Sequence, residues 1–301
     1  MYRKNLLAIS LALATTASCG AQTIEGIYKG LSSGPLKQAK LVKLPTGTLL
    51  RAGTLRISAQ QVNAELAKSN PTTHTQIEKN RFFLLEQLAT RLLLGAEARA
   101  WSKQNGKAFG KEVDDAAIRA YLQSVSSNVS VSDKEASSYY VDNKDMFSGA
   151  AYANIASELK SFLMNEKRQK AVTARIDTLS QRNTVEVDAV WCRAQSAQAL
   201  NNTVDRARRS GKPALVDFGS TGCRPCDMLA PILDELRKTY AGKCSVQFVQ
   251  VSENPILAAR YGIQSIPVQV FFDGNGNEVY RHVGFFPKNQ IVARLAAMGV
   301  K

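Results

Sequence analysis

Histidine is nearly absent from this chain: 301 residues hold two, His74 and His282, far apart in sequence. Cysteine is sparse too, with Cys19, Cys192, Cys223, Cys226 and Cys244. With no second C-x-x-C and no clustered histidine, a structural zinc site is not expected. Aromatic residues make up 7%, and the formal charge of +14 is spread along the chain: +2 from Arg3 and Lys4, +7 over residues 24–196 and +5 over 197–301. Nucleic-acid binding asks for a basic stripe with aromatic platforms, so nucleic acid is not expected as a partner. The tightest basic cluster, Arg206, Arg208 and Arg209, reads as the solvated face of a helix. Nine prolines and nineteen glycines exclude a collagen-like chain, and 45% hydrophobic residues exclude a disordered one. There is no internal repeat, no low-complexity tract and no apolar run long enough to span a bilayer.

What is present begins with a leader. Arg3 and Lys4 precede an apolar stretch from Leu6 to Ala14, then small residues through Ala21. That is the layout of a secretory signal peptide over residues 1–21. Thr16-Ala17-Ser18-Cys19 also resembles a lipobox, whose cysteine would be lipidated, although Thr16 stands where leucine is usual. Either route takes the chain out of the cytoplasm, to a periplasm or to a lipid anchor in the envelope, and the membrane is reached only through that anchor. Setting Cys19 aside leaves four cysteines, an even number that suits an oxidising compartment.

The remaining length suits two domains. Short strands are expected around Ala39–Leu44 and Leu49–Ile57, and Ser58 with Gln61 forms a capping box for a helix. From Thr73 to Lys103, Ile77, Leu84, Leu85, Leu88, Leu92 and Ala96 recur at helical spacing. The pattern predicts one helix about 45 Å long, more than a compact domain needs and fitting for an arm. Helices follow over Val113–Ser124, Asp133–Asn143 and Tyr152–Gln181, then a strand at Thr184–Val187. After Trp191 strand and helix patterns alternate: strands at Ala214–Gly219, Val246–Val251, Val268–Phe272 and Glu278–Val283, helices at Cys223–Tyr240, Asn254–Tyr261 and Lys288–Met298. The fold class is therefore two-domain, mostly α over 22–190 and α/β over 195–301.

Chemistry concentrates at Gly222-Cys223-Arg224-Pro225-Cys226, which follows a buried strand and opens a helix. The thiolate is the form that attacks a disulfide, and a helix N-terminus stabilises that anion. Cysteines three apart there share one face and lie close enough to bridge. Cys223 is the exposed nucleophile and Cys226 the more buried resolving thiol. Arg224 adds a cation beside the thiolate, and Pro225 fixes the turn. A permanent surface disulfide is the competing reading. Cys192 and Cys244 either bridge each other or stay as two buried free thiols.

Over roughly residues 197–301 the sequence resembles the thioredoxin family. The resemblance is carried by Ala214-Leu215-Val216-Asp217-Phe218, Cys223-Arg224-Pro225-Cys226, Ala230-Pro231-Ile232-Leu233-Asp234, Tyr261-Gly262-Ile263 with Ser265-Ile266-Pro267, and Val283-Gly284. It implies that Asp217 is the buried carboxylate that accepts the proton of Cys226. It also implies that Ile266-Pro267 is a cis-proline loop offering backbone to an incoming peptide, and that Pro231 kinks the active-site helix. No organic cofactor or metal is implied, because the electrons reside in the cysteine pair. Three departures stand out: Gly219 and Gly222 where tryptophans are common, and Phe248 where a lysine often neighbours the aspartate, which leaves Asp217 uncompensated.

The N-terminal half resembles the chaperone portion of the SurA/PpiC group of extracytoplasmic folding factors. Val131-Ser132-Asp133-Lys134-Glu135 leading to Tyr139-Tyr140-Val141-Asp142-Asn143-Lys144, and Glu166–Ala171 ending in Thr184-Val185-Glu186-Val187, carry that likeness. Only Met146–Ala151 separates the two segments where relatives carry a parvulin-type isomerase, so isomerase activity is not expected. The combined expectation is an exported thiol–disulfide oxidoreductase whose helical domain holds unfolded or disulfide-containing extracytoplasmic clients, cycling with a redox partner protein. The alternatives are a non-enzymatic chaperone or assembly factor, and a reductase dedicated to one partner such as an apocytochrome.

Overall fold

The computed structural model describes residues 22–107, 115–147 and 149–301; the leader and Cys19 lie outside the described residues. Two four-stranded sheets organise the described chain. The first starts with a helical turn α1 (Ile24–Ile27), strand β1 (Lys40–Val42) and the hairpin of β2 (Thr48–Ala52) and β3 (Leu55–Ser58). Ser58 and Gln61 close the expected capping box at the start of α2 (Ala59–Ala67).

Where the periodicity predicts one helix over 73–103, the chain forms two, α3 (Pro71–Lys79) and α4 (Arg81–Gln104). Asn80 separates them at φ −121° and ψ 39°. Its side chain donates to the Gln76 carbonyl and accepts from Arg260, and such local bonds compete with helix continuation. Next come α5 (Asp115–Val125), α6 (Asp133–Asp142), a 3-10 turn (Lys144–Phe147) and α7 (Tyr152–Arg182). At 31 residues, α7 is about 46 Å long, and only Leu159 and Leu179 on it are buried. The long helix of the unit is thus α7, which packs against α4, α5 and α6.

Strand β4 (Val185–Asp188) closes the helical excursion by inserting between β1, to which it is parallel, and β2, to which it is antiparallel. Its alternation turns Val185 and Val187 onto a core shared with Leu50, Ile57, Phe82, Leu85 and Ala89. Each large side chain so buried contributes roughly 1.5–3 kcal/mol. Asp188 then caps α8 (Ala189–Ala199) by accepting from Trp191 N–H, and Cys192, Ala199 and Leu200 enter the same core. Packing of the first unit therefore runs to residue 200.

The second unit comprises α9 (Thr203–Arg208), β5 (Ala214–Gly219), α10 (Arg224–Thr239), β6 (Ser245–Gln250), α11 (Pro255–Arg260), β7 (Val268–Phe272), β8 (Glu278–Val283) and α12 (Lys288–Ala297). Its sheet order is β6-β5-β7-β8, with only the β5–β6 pair parallel. One face packs Leu215 and Phe271 under Leu229, Leu233 and Leu236 of α10 and Ile291 and Leu295 of α12. The other packs Val216, Phe218, Val270 and Phe272 against Val204 and Ala207 of α9 and Ala258 of α11.

One expectation is corrected here, and one open alternative is decided. Arg208 does not lie on a solvated face: it is buried, donates twice to the Gly276 carbonyl and sits 3.8 Å from Glu25, while Arg206 and Arg209 are exposed. Cys192 and Cys244 do not bridge: both are free and buried, the first in the core of the first sheet and the second beneath α10. Burial pushes their thiols up to about 12 and about 11.

The units are bolted together by Arg260. It is 1% exposed, pairs with the equally buried Asp205, and donates to the carbonyls of Ala199 (2.7 Å) and Gly30 (3.0 Å). Tyr261 Oη–H donates to the other oxygen of Asp205 at 2.7 Å.

Candidate redox site

Strand β5 delivers the chain to the site. Its period-two alternation puts Ala214, Val216 and Phe218 on the α9–α11 face, so Leu215 and Asp217 face α10. Cys223 is the N-cap of α10 and Pro225 lies in its first turn, where proline's missing N–H goes unneeded. Gly222 just before it has φ +79°, a left-handed conformation that side chains resist. Gln250 braces the approach: its Oε1 accepts from Thr221 N–H at 3.2 Å, and its Nε2 donates to Thr221 Oγ1 at 3.1 Å.

Cys223 and Cys226 form a disulfide with Cα atoms 5.2 Å apart. Cys223 is half-buried, Cys226 is 4% exposed, and Arg224 projects to solvent. The outer sulfur is therefore open to a client sulfur and the inner one is shielded. Beneath them Asp217 is fully buried. Burial raises its carboxyl to about 6, and a hydrogen bond from Gln269 opposes that rise. A side chain built on Gly219 would meet Phe248 Cε2 at 2.9 Å, Asp217 Oδ2 at 3.3 Å and Cys226 Cβ at 3.4 Å. The bare backbone of Gly219 is thus the point where the carboxylate, the inner cysteine and the Phe248 ring converge.

Pro267 is buried and follows a cis bond from Ile266. Register places it: Val268 pairs with Phe218 on β5 and with Val283 on β8. Pro267 and Gly284 therefore stand at the strand end from which β5 leads to Cys223, and the Gly284 N–H donates to the Pro267 carbonyl at 2.8 Å. Onto this rim comes the helical unit. A side chain at Gly284 (φ +99°) would meet Met146 Cε at 2.7 Å and Tyr139 Oη at 3.5 Å. Met146 also packs against the core under α10.

The structure brings Cys223, Arg224, Pro225, Cys226, Asp217, Ile266 and Pro267 to one end of the second sheet and leaves Cys192 and Cys244 out of it. Gln269 is the residue missed from sequence. The one polar side chain in Val268-Gln269-Val270-Phe271-Phe272, it was the available signal, and it leaves Asp217 less uncompensated than the lysine-to-phenylalanine change suggests. Among the described residues no group of three or more histidine, cysteine, aspartate or glutamate side chains could hold a metal ion.

A sequence model described as Thioredoxin matches residues 192–297. A thioredoxin of Alicyclobacillus acidocaldarius subsp. acidocaldarius is 42% identical over 91 residues, which are 30% of this chain and 86% of that protein. Thioredoxin 2 of Chlorobaculum tepidum is 45% identical over 86 residues, 29% of this chain and 78% of the relative. Thioredoxin 1 of a Nostoc species is 45% identical over 82 residues, 27% and 76% of the two chains.

Proposed function

Since the chain belongs to the thioredoxin family through its C-terminal unit, and is a thiol–disulfide oxidoreductase acting on disulfide-containing proteins, we propose that it serves extracytoplasmic clients which its helical unit holds. The redox group is the Cys223–Cys226 pair; thioredoxins need no other cofactor. The observation that carries the reading is the order of exposure at the head of α10, an accessible sulfur followed by a buried one above a buried carboxylate.

In the reducing direction the Cys223 thiolate, favoured by the helix N-terminus, attacks one sulfur of a client disulfide. The client's other sulfur leaves as a thiolate, and Cys223 is joined to the client. Cys226 gives its proton to Asp217 and attacks Cys223, forming the internal disulfide and releasing the second client sulfur. Two electrons pass to the client, whose thiolates take protons from solvent. Pro267 supplies backbone to the client segment. The oxidising direction is the reverse, and the choice is made by the relative stability of thiolate and disulfide in each partner.

Export rests on the leader at residues 1–21, with cleavage after Ala21 or lipidation at Cys19. Holding rests on the SurA/PpiC-like segments and on α7, whose long exposed flanks offer surface to an extended chain. Met146 and Tyr139 support coupling of the two activities, because they bring the helical unit to the rim beside Pro267. The test is the full chain carrying Cys223→Ser: it suppresses aggregation of a reduced, unfolded protein while reducing no disulfide. No suppression at excess over the unfolded protein would remove the holding role and leave the oxidoreductase.

A further inference from the structure

Strand register sets a row of four residues across the α10 face of the second sheet: Phe248 on β6 opposite Asp217 on β5, Asp217 opposite Gln269 on β7, and Gln269 opposite His282 on β8. The neighbours of Asp217 and Gln269 along this face, Leu215 and Phe271, are apolar and fully buried. Gln269 is itself fully buried, and its Nε2 donates to Asp217 Oδ1 at 2.7 Å. An ionised carboxylate only accepts, so the amide must present its nitrogen. Asp217 Oδ2 is buried with no hydrogen-bond partner and lies on the Gly219 side, where Cys226 converges. One carboxylate oxygen is held and the other is left free toward the thiol.

We propose that Gln269 is a positioning residue for the exchange reaction: its amide fixes the Asp217 carboxylate in the orientation that receives the Cys226 proton, and does so without a cation. The proposal rests on the reading of Asp217 as that proton acceptor. In the step it serves, the S–H bond of Cys226 breaks and its proton passes to Asp217. The freed electron pair forms the Cys226–Cys223 bond, and the Cys223–client S–S bond breaks with its pair leaving on the client sulfur. A neutral donor suits this site because a hydrogen bond to the charged form favours ionisation against burial.

No other charge takes over the role. Within their strand limits β5, β6 and β7 carry no charged residue besides Asp217. On α10, Arg224, Asp227, Asp234, Glu235, Arg237 and Lys238 are all exposed, and the titratable group facing Asp217 there is Cys226. On β8, His282 stands beyond Gln269; burial lowers its pKa, its Nε2 bonds the Phe285 carbonyl, and its ring stacks on Phe286 at 4.2 Å. Its ring is thus engaged away from Asp217.

The experiment follows the full chain, reduced, reacting with an aromatic disulfide that releases a coloured thiolate twice. Cys223 attack gives the first release and Cys226 closure the second. The second phase should lose rate on its acid side with an apparent midpoint belonging to the Asp217–Cys226 pair. In Gln269→Leu, and in Gln269→Met as the variant of closer shape, that midpoint moves up by about one pH unit, a tenfold change in apparent acidity. The first phase keeps its rate. In Asp217→Asn the limb of the pair gives way to one set by the Cys226 thiol alone, at higher pH, and adding Gln269→Leu moves nothing further. If Asp217→Asn moves the limb but both Gln269 variants keep the wild-type midpoint, the positioning role is overturned alone. If Asp217→Asn keeps the wild-type limb, the proton-acceptor reading falls and the proposal falls with it.

Discussion

Asp217→Asn makes the oxidised protein more stable, and the gain depends on pH in a direction fixed by burial. The carboxyl titrates at about 6 in the folded chain against 3.8 as the reference value. Between those values the folded state binds more protons than the unfolded one, so stability falls as pH rises through the window. One pH unit is worth about 1.4 kcal/mol. The ionised Asp217 therefore destabilises the fold by about 3 kcal/mol above neutral pH, and by almost nothing below about pH 4. Asparagine removes the charge while keeping a carbonyl oxygen for the Gln269 amide. Urea unfolding of the oxidised full chain at a series of pH values measures the difference, read from midpoints at constant slope. The variant should gain about 2–3 kcal/mol near pH 8, with the gain shrinking through about pH 6 and gone near pH 4. A variant less stable than wild type near pH 8, or a gain independent of pH, would refute the argument.

Arg260→Met leaves Asp205 buried without its guanidinium and strips donors from the Ala199 and Gly30 carbonyls. Removing one partner of such a pair costs about 3–5 kcal/mol, and adding Asp205→Leu should recover part of it; a loss under about 1 kcal/mol by urea unfolding would show that the pair does not bolt the units together. Among the four cysteines of the described chain, brief alkylation of the reduced protein near neutral pH should label Cys223 first. Cys192 and Cys244 should stay unlabelled until denaturant is added, because burial both hides their thiols and raises their pKa values. Mass spectrometry of peptides decides this, and fast native labelling of Cys192 would contradict its burial.

Local signals carried much of the second unit. Strands Ala214–Gly219 and Val268–Phe272 fall where the sequence puts them because a strand buried on both faces announces itself over five or six residues, while the half-exposed Glu278–Val283 is placed by the glycine-rich turn that precedes it. The cysteine pair was legible for the same reason: spacing, helix N-terminus and preceding strand are contiguous. What stayed hidden depends on long-range pairing. That β4 would slot between β1 and β2 is decided across the whole helical excursion. The break at Asn80 depends on Arg260, and the burial of Arg208 on the Gly276 carbonyl and Glu25. A basic residue next to two solvated arginines carries no local mark of burial. Gln269 did carry one, a lone amide in an apolar strand, but its meaning required the register that sets it opposite Asp217.

The exchange chemistry of the Cys223–Cys226 pair is tested most directly by trapping. Cys223→Ser and Cys226→Ser forms of the full chain are each mixed, reduced, with a disulfide-containing protein and resolved without reductant. Cys226→Ser should accumulate a mixed disulfide through Cys223, since the outer sulfur attacks and nothing resolves it, while Cys223→Ser forms no adduct. Adducts through Cys226 in the Cys223→Ser form, with none through Cys223 in the other, would contradict the assignment of the exposed sulfur as the nucleophile.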